Sequence, residues 1–222
     1  MALDGLARGL GALGHRVDFR PLRSRSGFHT LDRWLYNAGV VLDPPRADVV
    51  LGVDLDGFLW AWRRRGGARA YVVTLKGIIA DELRNERGVV RVLLGIQARW
   101  EKRNARRADR VIVSSRYSAA VATALYGVPS TRIAVVPEPI DLAEWRRRFA
   151  AVAPAREAAR PTVLSVARLY PRKRVGDLLE AAALLRGRIA GVQVRIVGDG
   201  PEAGHLRALH ERLGLGDTVV FL

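Results

Sequence analysis

Residues 161–185 read PTVLSVARLYPRKRVGDLLEAAALL. The first seven are apolar and β-branched in the manner of a strand, the middle holds Pro171 and four cations, and the last run is an apolar stretch of helical character. A strand that passes into a helix through a basic turn is one unit of a parallel sheet, and the unit repeats downstream. QVRIVG is a second strand, GDGPEAG (198–204) a second turn, HLRALHERLG a second helix and DTVVFL a third strand. Upstream, ADVVLGV, ARAYVVTL, DRVIVSS and TRIAVVPEP read as strands, with helices expected over FLWAWRRR, from about Val89 to Arg107, and over SAAVATALYG. HRVDFRPL, after a leading helix with Leu3, Leu6, Leu10 and Leu13 at helical spacing, reads as a further short strand. Strands alternating with helices predict an α/β fold of doubly wound parallel sheets. From Asp141 to Arg160 the composition turns to Ala, Arg and Pro without a strand signal. The expected division is a first domain over 1–145, a linker over 146–160 and a second domain over 161–222.

The bulk numbers narrow the function classes. The 222 residues carry 49% apolar side chains, enough for a real core, and no cysteine, which excludes disulfides, thiolate metal sites and cysteine nucleophiles. The net charge of +15 favours anionic partners, namely phosphorylated ligands, anionic lipid or nucleic acid. Only Lys76, Lys102 and Lys173 are lysines, and arginine preference of this kind also follows from base composition, so charge alone names no partner. The start is a poor signal peptide, since Asp4 and two arginines interrupt it, and no stretch approaches the about 18 apolar residues of a membrane span. A cytoplasmic location, peripheral to the inner membrane face, is expected. FLWAW with Arg63 to Arg65, and the basic run from Arg99 to Arg110, are the stretches that would meet anionic lipid.

In open α/β sheets, ligands collect at the carboxyl ends of strands, where helix N-termini present free N–H groups. Arg168 and Lys173 lie at such an end, and an arginine fork beside a lysine point charge suits a diphosphate. A solvated, arginine-rich turn accounts for the same residues equally well. In GDGPEAG, Gly198 and Gly200 permit positive φ and close backbone approach to a ligand. His15, His29, His205 and His210 show no metal-ligand spacing, and Asp54 and Asp56 fit an ordinary turn as well as a site.

The ordered set of motifs resembles a family 4 type glycosyltransferase of the GT-B fold. ARLYPRKR resembles that family's G-R-L-x-x-x-K-G, IVGDGP its V-G-x-G-P, and LGLGDTVVFL its L-G-L-x-x-x-V-x-F. In the first half ALGHRVD, ADRVIVSS and YGVPSTRIAVVPEPID also resemble family segments, so the likeness spans nearly the whole chain. It implies two Rossmann-like domains with a sugar nucleotide in the cleft, the nucleotide held by the second. Arg168 and Lys173 would grip the diphosphate and stabilise charge on the departing β-phosphate, with Gly198 and Gly200 completing the donor site. It further implies transfer of a hexose with retention to a glycan or lipid-linked acceptor, no cofactor, no metal and no nucleic acid. The family's first strand would precede Met1 and its paired glutamates would follow Leu222, so both domains are expected to be incomplete and activity of this length of chain is open. TLKG places Lys76 where the family often has a histidine, and Glu138 with Pro139 replaces an Asn-Gly pair, which makes Lys76 and Glu138 candidate cleft residues. Ala167 and Arg174 each replace a usual glycine.

Two alternatives stay open on the residues. A dinucleotide-binding oxidoreductase built on GDGPEAG needs an acidic residue after the next complete strand. A non-enzymatic nucleic-acid or membrane-surface binder would rest on charge and show steep salt dependence.

Overall fold

The computed structural model describes residues 2–22, 26–27, 29–64, 70–152 and 160–222. They form two compact units, Met1–Trp145 and Arg146–Leu222. In the first unit the described elements are α1 (Ala2–Ala12), α2 (His29–Leu42), β1 (Val49–Val53), α3 (Phe58–Arg63), β2 (Ala70–Leu75), α4 (Ile79–Glu82), α5 (Gly88–Arg107), β3 (Arg110–Val113), α6 (Arg116–Val121) and β4 (Ile133–Val135). Helix α7 (Leu142–Ala150) runs from this unit into the next. The second unit holds β5 (Thr162–Val166), α8 (Val175–Leu185), β6 (Gln193–Val197), α9 (Ala203–Arg212) and β7 (Val219–Phe221).

Both sheets are wholly parallel, in the order β1-β2-β3-β4 and β5-β6-β7. Each successive strand joins the same growing edge, so all the strand carboxyl ends of a unit line one side. The register sets Val53 beside Thr74, Leu75 beside Val113 and Val113 beside Val135. Strand β2 is a near-continuous apolar run because helices cover both its faces: Tyr71, Val73, Thr74 and Leu75 are all buried. Helix α5 turns Gln97, Ala98, Glu101, Asn104 and Ala105 inward, a stripe at helical spacing. Asp109 ties the entry of β3 to β2: it accepts the Tyr71 N–H at 2.7 Å and two bonds from Arg64 at 2.7 and 2.8 Å. The Arg64 guanidinium holds its carboxyl below the usual carboxylate range. In the second unit Leu169, Val175, Leu179, Val194, Ile196, Leu206 and Val219 close the core.

Three stretches depart from the sequence expectation. Residues 15–22 form no strand; instead Arg20 is tied to α2, its carbonyl accepting from the Tyr36 hydroxyl at 2.8 Å and its guanidinium 3.2 Å from Asp43. Helix α2 lies where none was expected, because its pattern is inverted. Asp32, Asn37 and Val40 face inward while Leu31, Trp34 and Leu35 are exposed. The stretch read as linker opens inside a helix, α7, whose nine residues start at Leu142 and reach Ala150, and residues 153–159 lie outside the described set.

Candidate functional site

The second unit places its cations on one strand end. Arg168 follows β5 by two residues, and Lys173 closes a single 3-10 turn, Pro171–Lys173, immediately before α8. Both are exposed, and neither has a carboxylate partner among the described residues. Arg168 donates to the Tyr170 hydroxyl at 2.8 Å and lies over the Tyr170 ring at 4.7 Å, with Arg172 at 5.3 Å from the same ring. Tyr170 therefore orders the basic turn, through cation–π contact and one hydrogen bond, and leaves most guanidinium donors of Arg168 outward. The free N–H groups and positive dipole end of α8 add to the same local field. Arg174, in a usual glycine position, adopts the left-handed conformation glycine prefers, with φ 51°; its side chain turns to solvent and pairs with Asp177 at 2.6 Å.

Gly198 and Gly200 sit beside this turn for a reason other than ligand approach alone. The loop after β6 packs against the loop after β5, with Ala167 N–H donating to Val197 O, Leu169 N–H to Asp199 O and Glu202 N–H to Leu169 O at 2.9–3.0 Å. A Cβ on Gly198 would stand 1.9 Å from the Ala167 carbonyl oxygen, and one on Gly200 2.5 Å from that of Leu169. Both have positive φ, 146° and 158°. The glycines thus let two strand ends touch, and that contact fixes the loop carrying Arg168.

The first unit brings Lys76 and Glu138 together. Lys76 follows β2 and Glu138 follows β4, and their side chains form an ion pair at 2.5 Å. Asp54, just past β1, accepts the Lys76 backbone N–H at 2.8 Å. It holds φ at 54°, a rare conformation for a side-chain-bearing residue, and burial pushes its carboxyl pKa up. Arg33 of α2 completes the array, 4.0 Å from Asp54 and 3.3 Å from Asp56, while Asn37 accepts the Gly57 N–H at 2.7 Å. Below it, Asn104 donates to Asp54 O at 2.8 Å and accepts from the Tyr71 hydroxyl at 2.7 Å. Glu101 is fully buried; its Oε2 accepts from Ile79 N–H at 2.9 Å and from the Tyr126 hydroxyl, and its Oε1 has no partner. Burial pushes this carboxyl up to about 8.

Sequence reading named Lys76, Glu138, Arg168, Lys173, Gly198 and Gly200, and left out Arg33, Glu101, Asn104 and Tyr170. Tyr170 was within reach of inspection, two residues after Arg168. Arg33 was hidden in the unrecognised helix α2. The stretch FLWAW buries Phe58, Trp60 and Ala61 and exposes Trp62, so it is a packed helix with one outward ring; Arg65 lies outside the described residues. The basic run 99–110 likewise turns Glu101, Asn104 and Ala105 inward. His210 contacts the Gly216 carbonyl at 3.0 Å. Among the described residues no three acidic or histidine side chains gather as a metal-ligand set, and no helix is long and apolar enough to cross a membrane.

Two parallel α/β units with basic and glycine-rich turns at the strand ends define the GT-B class, and solved structures agree at the level of fold. A S. aureus TarM variant in complex with fondaparinux, alpha-GlcNAc-glycerol and UDP superposes at TM-score 0.60 and 15% identity, over 86% of this chain and 36% of that one. Sucrose-phosphate synthase from Thermosynechococcus elongatus gives 0.59 at 20% identity, over 93% and 53%. The Glycosyltransferase Family 4 model matches residues 19–144 and the Glycosyl transferases group 1 model residues 148–222. The chain belongs to glycosyltransferase family 4. Among curated relatives, a GDP-mannose-dependent alpha-(1-6)-phosphatidylinositol monomannoside mannosyltransferase of Mycolicibacterium smegmatis is 31% identical over 162 residues, 71% of this chain and 40% of the relative. The protein of that name from Mycobacterium tuberculosis is 39% identical over 85 residues, 38% and 20%. A D-inositol 3-phosphate glycosyltransferase of Nocardia farcinica is 35% identical over 133 residues, 55% and 29%. The chain spans less than half the length of these relatives. The oxidoreductase alternative finds no support in these comparisons.

Proposed function

We propose that the chain is the part of a retaining glycosyltransferase that moves a hexose from a nucleotide-diphosphate sugar to a glycan or lipid-linked acceptor. The observation that carries this reading is the exposed pair Arg168 and Lys173, without carboxylate partners among the described residues, at the carboxyl end of β5 and the N-terminus of α8. When the glycosidic bond of the donor breaks, negative charge grows on the β-phosphate. An arginine fork and an ammonium already fixed there stabilise that charge more in the transition state than in the ground state. These two side chains take the place a divalent metal fills elsewhere, and no cofactor takes part in the reading. Gly198 and Gly200 hold the donor loop in place; Lys76 and Glu138 face the acceptor side of the chemistry. Neither a protein nucleophile nor nucleic acid enters it.

GDP is the first nucleotide to test, since the mycobacterial relatives are named for GDP-mannose. Calorimetric titration of the chain with GDP and UDP should give saturable binding to one of them. Arg168→Ala combined with Lys173→Ala should weaken it by at least about 100-fold, as expected for two charge-assisted contacts. Equal binding by parent and double variant sinks the reading. Anomeric configuration of the product, read by NMR, tests retention. A cytoplasmic, membrane-peripheral placement belongs to the same reading, with Trp62 and the outer side of α5, where Val89 and Val92 are exposed, as the lipid-facing surface. Co-sedimentation with phosphatidylglycerol vesicles, absent with phosphatidylcholine, checks it.

A further inference from the structure

Three of 37 cationic residues are lysines, so the positions that keep a lysine in this arginine-rich chain merit a separate account. Lys102 donates to the Leu125 carbonyl at 3.0 Å and has a structural part. Lys173 is a donor-side cation in the reading above. Lys76 differs from both, because its main chain and its side chain are each fixed by a carboxylate: Asp54 takes the backbone N–H and Glu138 the ammonium. The pair remains accessible, with 31% of the Lys76 side chain and 40% of that of Glu138 exposed. Around it, among the described residues, Arg33 faces Asp54 and Asp56 as Lys76 faces Glu138.

Such an array treats two kinds of acceptor group differently. A hydroxyl of a polyol both donates and accepts, and matches the remaining ammonium protons and carboxylate lone pairs of the pair. A phosphate gains Lys76 but must stand beside Glu138, a like charge at close range, which disfavours it. We infer that Glu138 is a specificity-determining residue: by neutralising Lys76 it makes the carboxyl end of β2 select a neutral polyol hydroxyl over a phosphorylated one. The inference rests on the proposal that the first unit faces the acceptor.

The test compares a matched pair of probes, myo-inositol and myo-inositol 1-phosphate, by ligand-observed NMR titration of the full chain. The parent should bind the neutral polyol at least as well as its phosphate ester. Glu138→Gln should shift the ratio toward the ester by about tenfold, and Lys76→Ala in that background should remove the shift. A parent that already prefers the ester, a ratio unmoved by Glu138→Gln, or no binding of either probe by any variant each overturns the inference. GDP titration in parallel separates the two levels. Intact GDP binding with an unmoved polyol ratio defeats this inference alone, whereas GDP binding unaffected by loss of Arg168 and Lys173 defeats the reading beneath it.

Discussion

The two sheets end alike in topology and opposite in electrostatics. At the carboxyl ends of β1, β2 and β4, each named cation faces a carboxylate: Arg33 faces Asp54 and Asp56, and Lys76 faces Glu138. At the end of β5, Arg168 and Lys173 have no such partner among the described residues, and an aromatic ring holds the arginine instead. The same parallel α/β grammar therefore yields one strand end whose named cations are paired with carboxylates and one whose cations, among the described residues, are not. Which it becomes depends on a few side chains after the strands, not on the strands.

The largest effect expected from breaking this comparison comes from Gly198. Its Cβ would collide with the Ala167 carbonyl oxygen, a backbone atom that cannot step aside. Gly198→Ala should cost about 4 kcal/mol or more, unfolding the second unit in urea ahead of the first and abolishing nucleotide binding. Next comes Glu101. Its carboxyl rises from 4.5 to about 8 through burial, so the native protein holds a proton that the unfolded chain releases. The contribution of Glu101 to stability is fully present below pH 4.5 and falls by about 1.4 kcal/mol per pH unit until pH 8. Glu101→Gln, which keeps an acceptor for Ile79 and Tyr126, should flatten that fall in pH-dependent urea melts. A smaller change follows from Tyr170→Ala, which removes the ring under Arg168. GDP affinity should drop about threefold, near the weak end of an exposed cation–π contact, with the melting transition unmoved. Smallest of all, Arg174→Gly relieves a left-handed residue but loses the Asp177 pair, and unfolding should shift by no more than about 0.5 kcal/mol.

The strands and the basic turn were legible because local chemistry decides them. VLSV and YVVTL are β-branched and apolar, and PRKR cannot sit inside a core. The polar array of the first unit was not legible, since it depends on burial of polar residues. Asp32 and Asn37 occupy the inner face of α2 while Leu31 and Leu35 face out, the reverse of the pattern from which helices are read. Arg33 therefore came without a helix to place it. Glu101 stood in a run of arginines that looked solvated, yet one turn of α5 buries it against Ile79 and Tyr126. Gly198 and Gly200 of GDGPEAG take the positive φ read for them, but the neighbours that demand them each lie 31 residues back in sequence, Ala167 for Gly198 and Leu169 for Gly200.

Lysine scarcity has a practical corollary. An acylating reagent meets three side-chain amines in these 222 residues. Two of the three side-chain amines are already engaged, Lys76 by a carboxylate and Lys102 by a carbonyl. Lys173, exposed and without a carboxylate partner among the described residues, is thus the side-chain amine most open to such a reagent, which places a label beside the basic turn after β5 without introducing a cysteine.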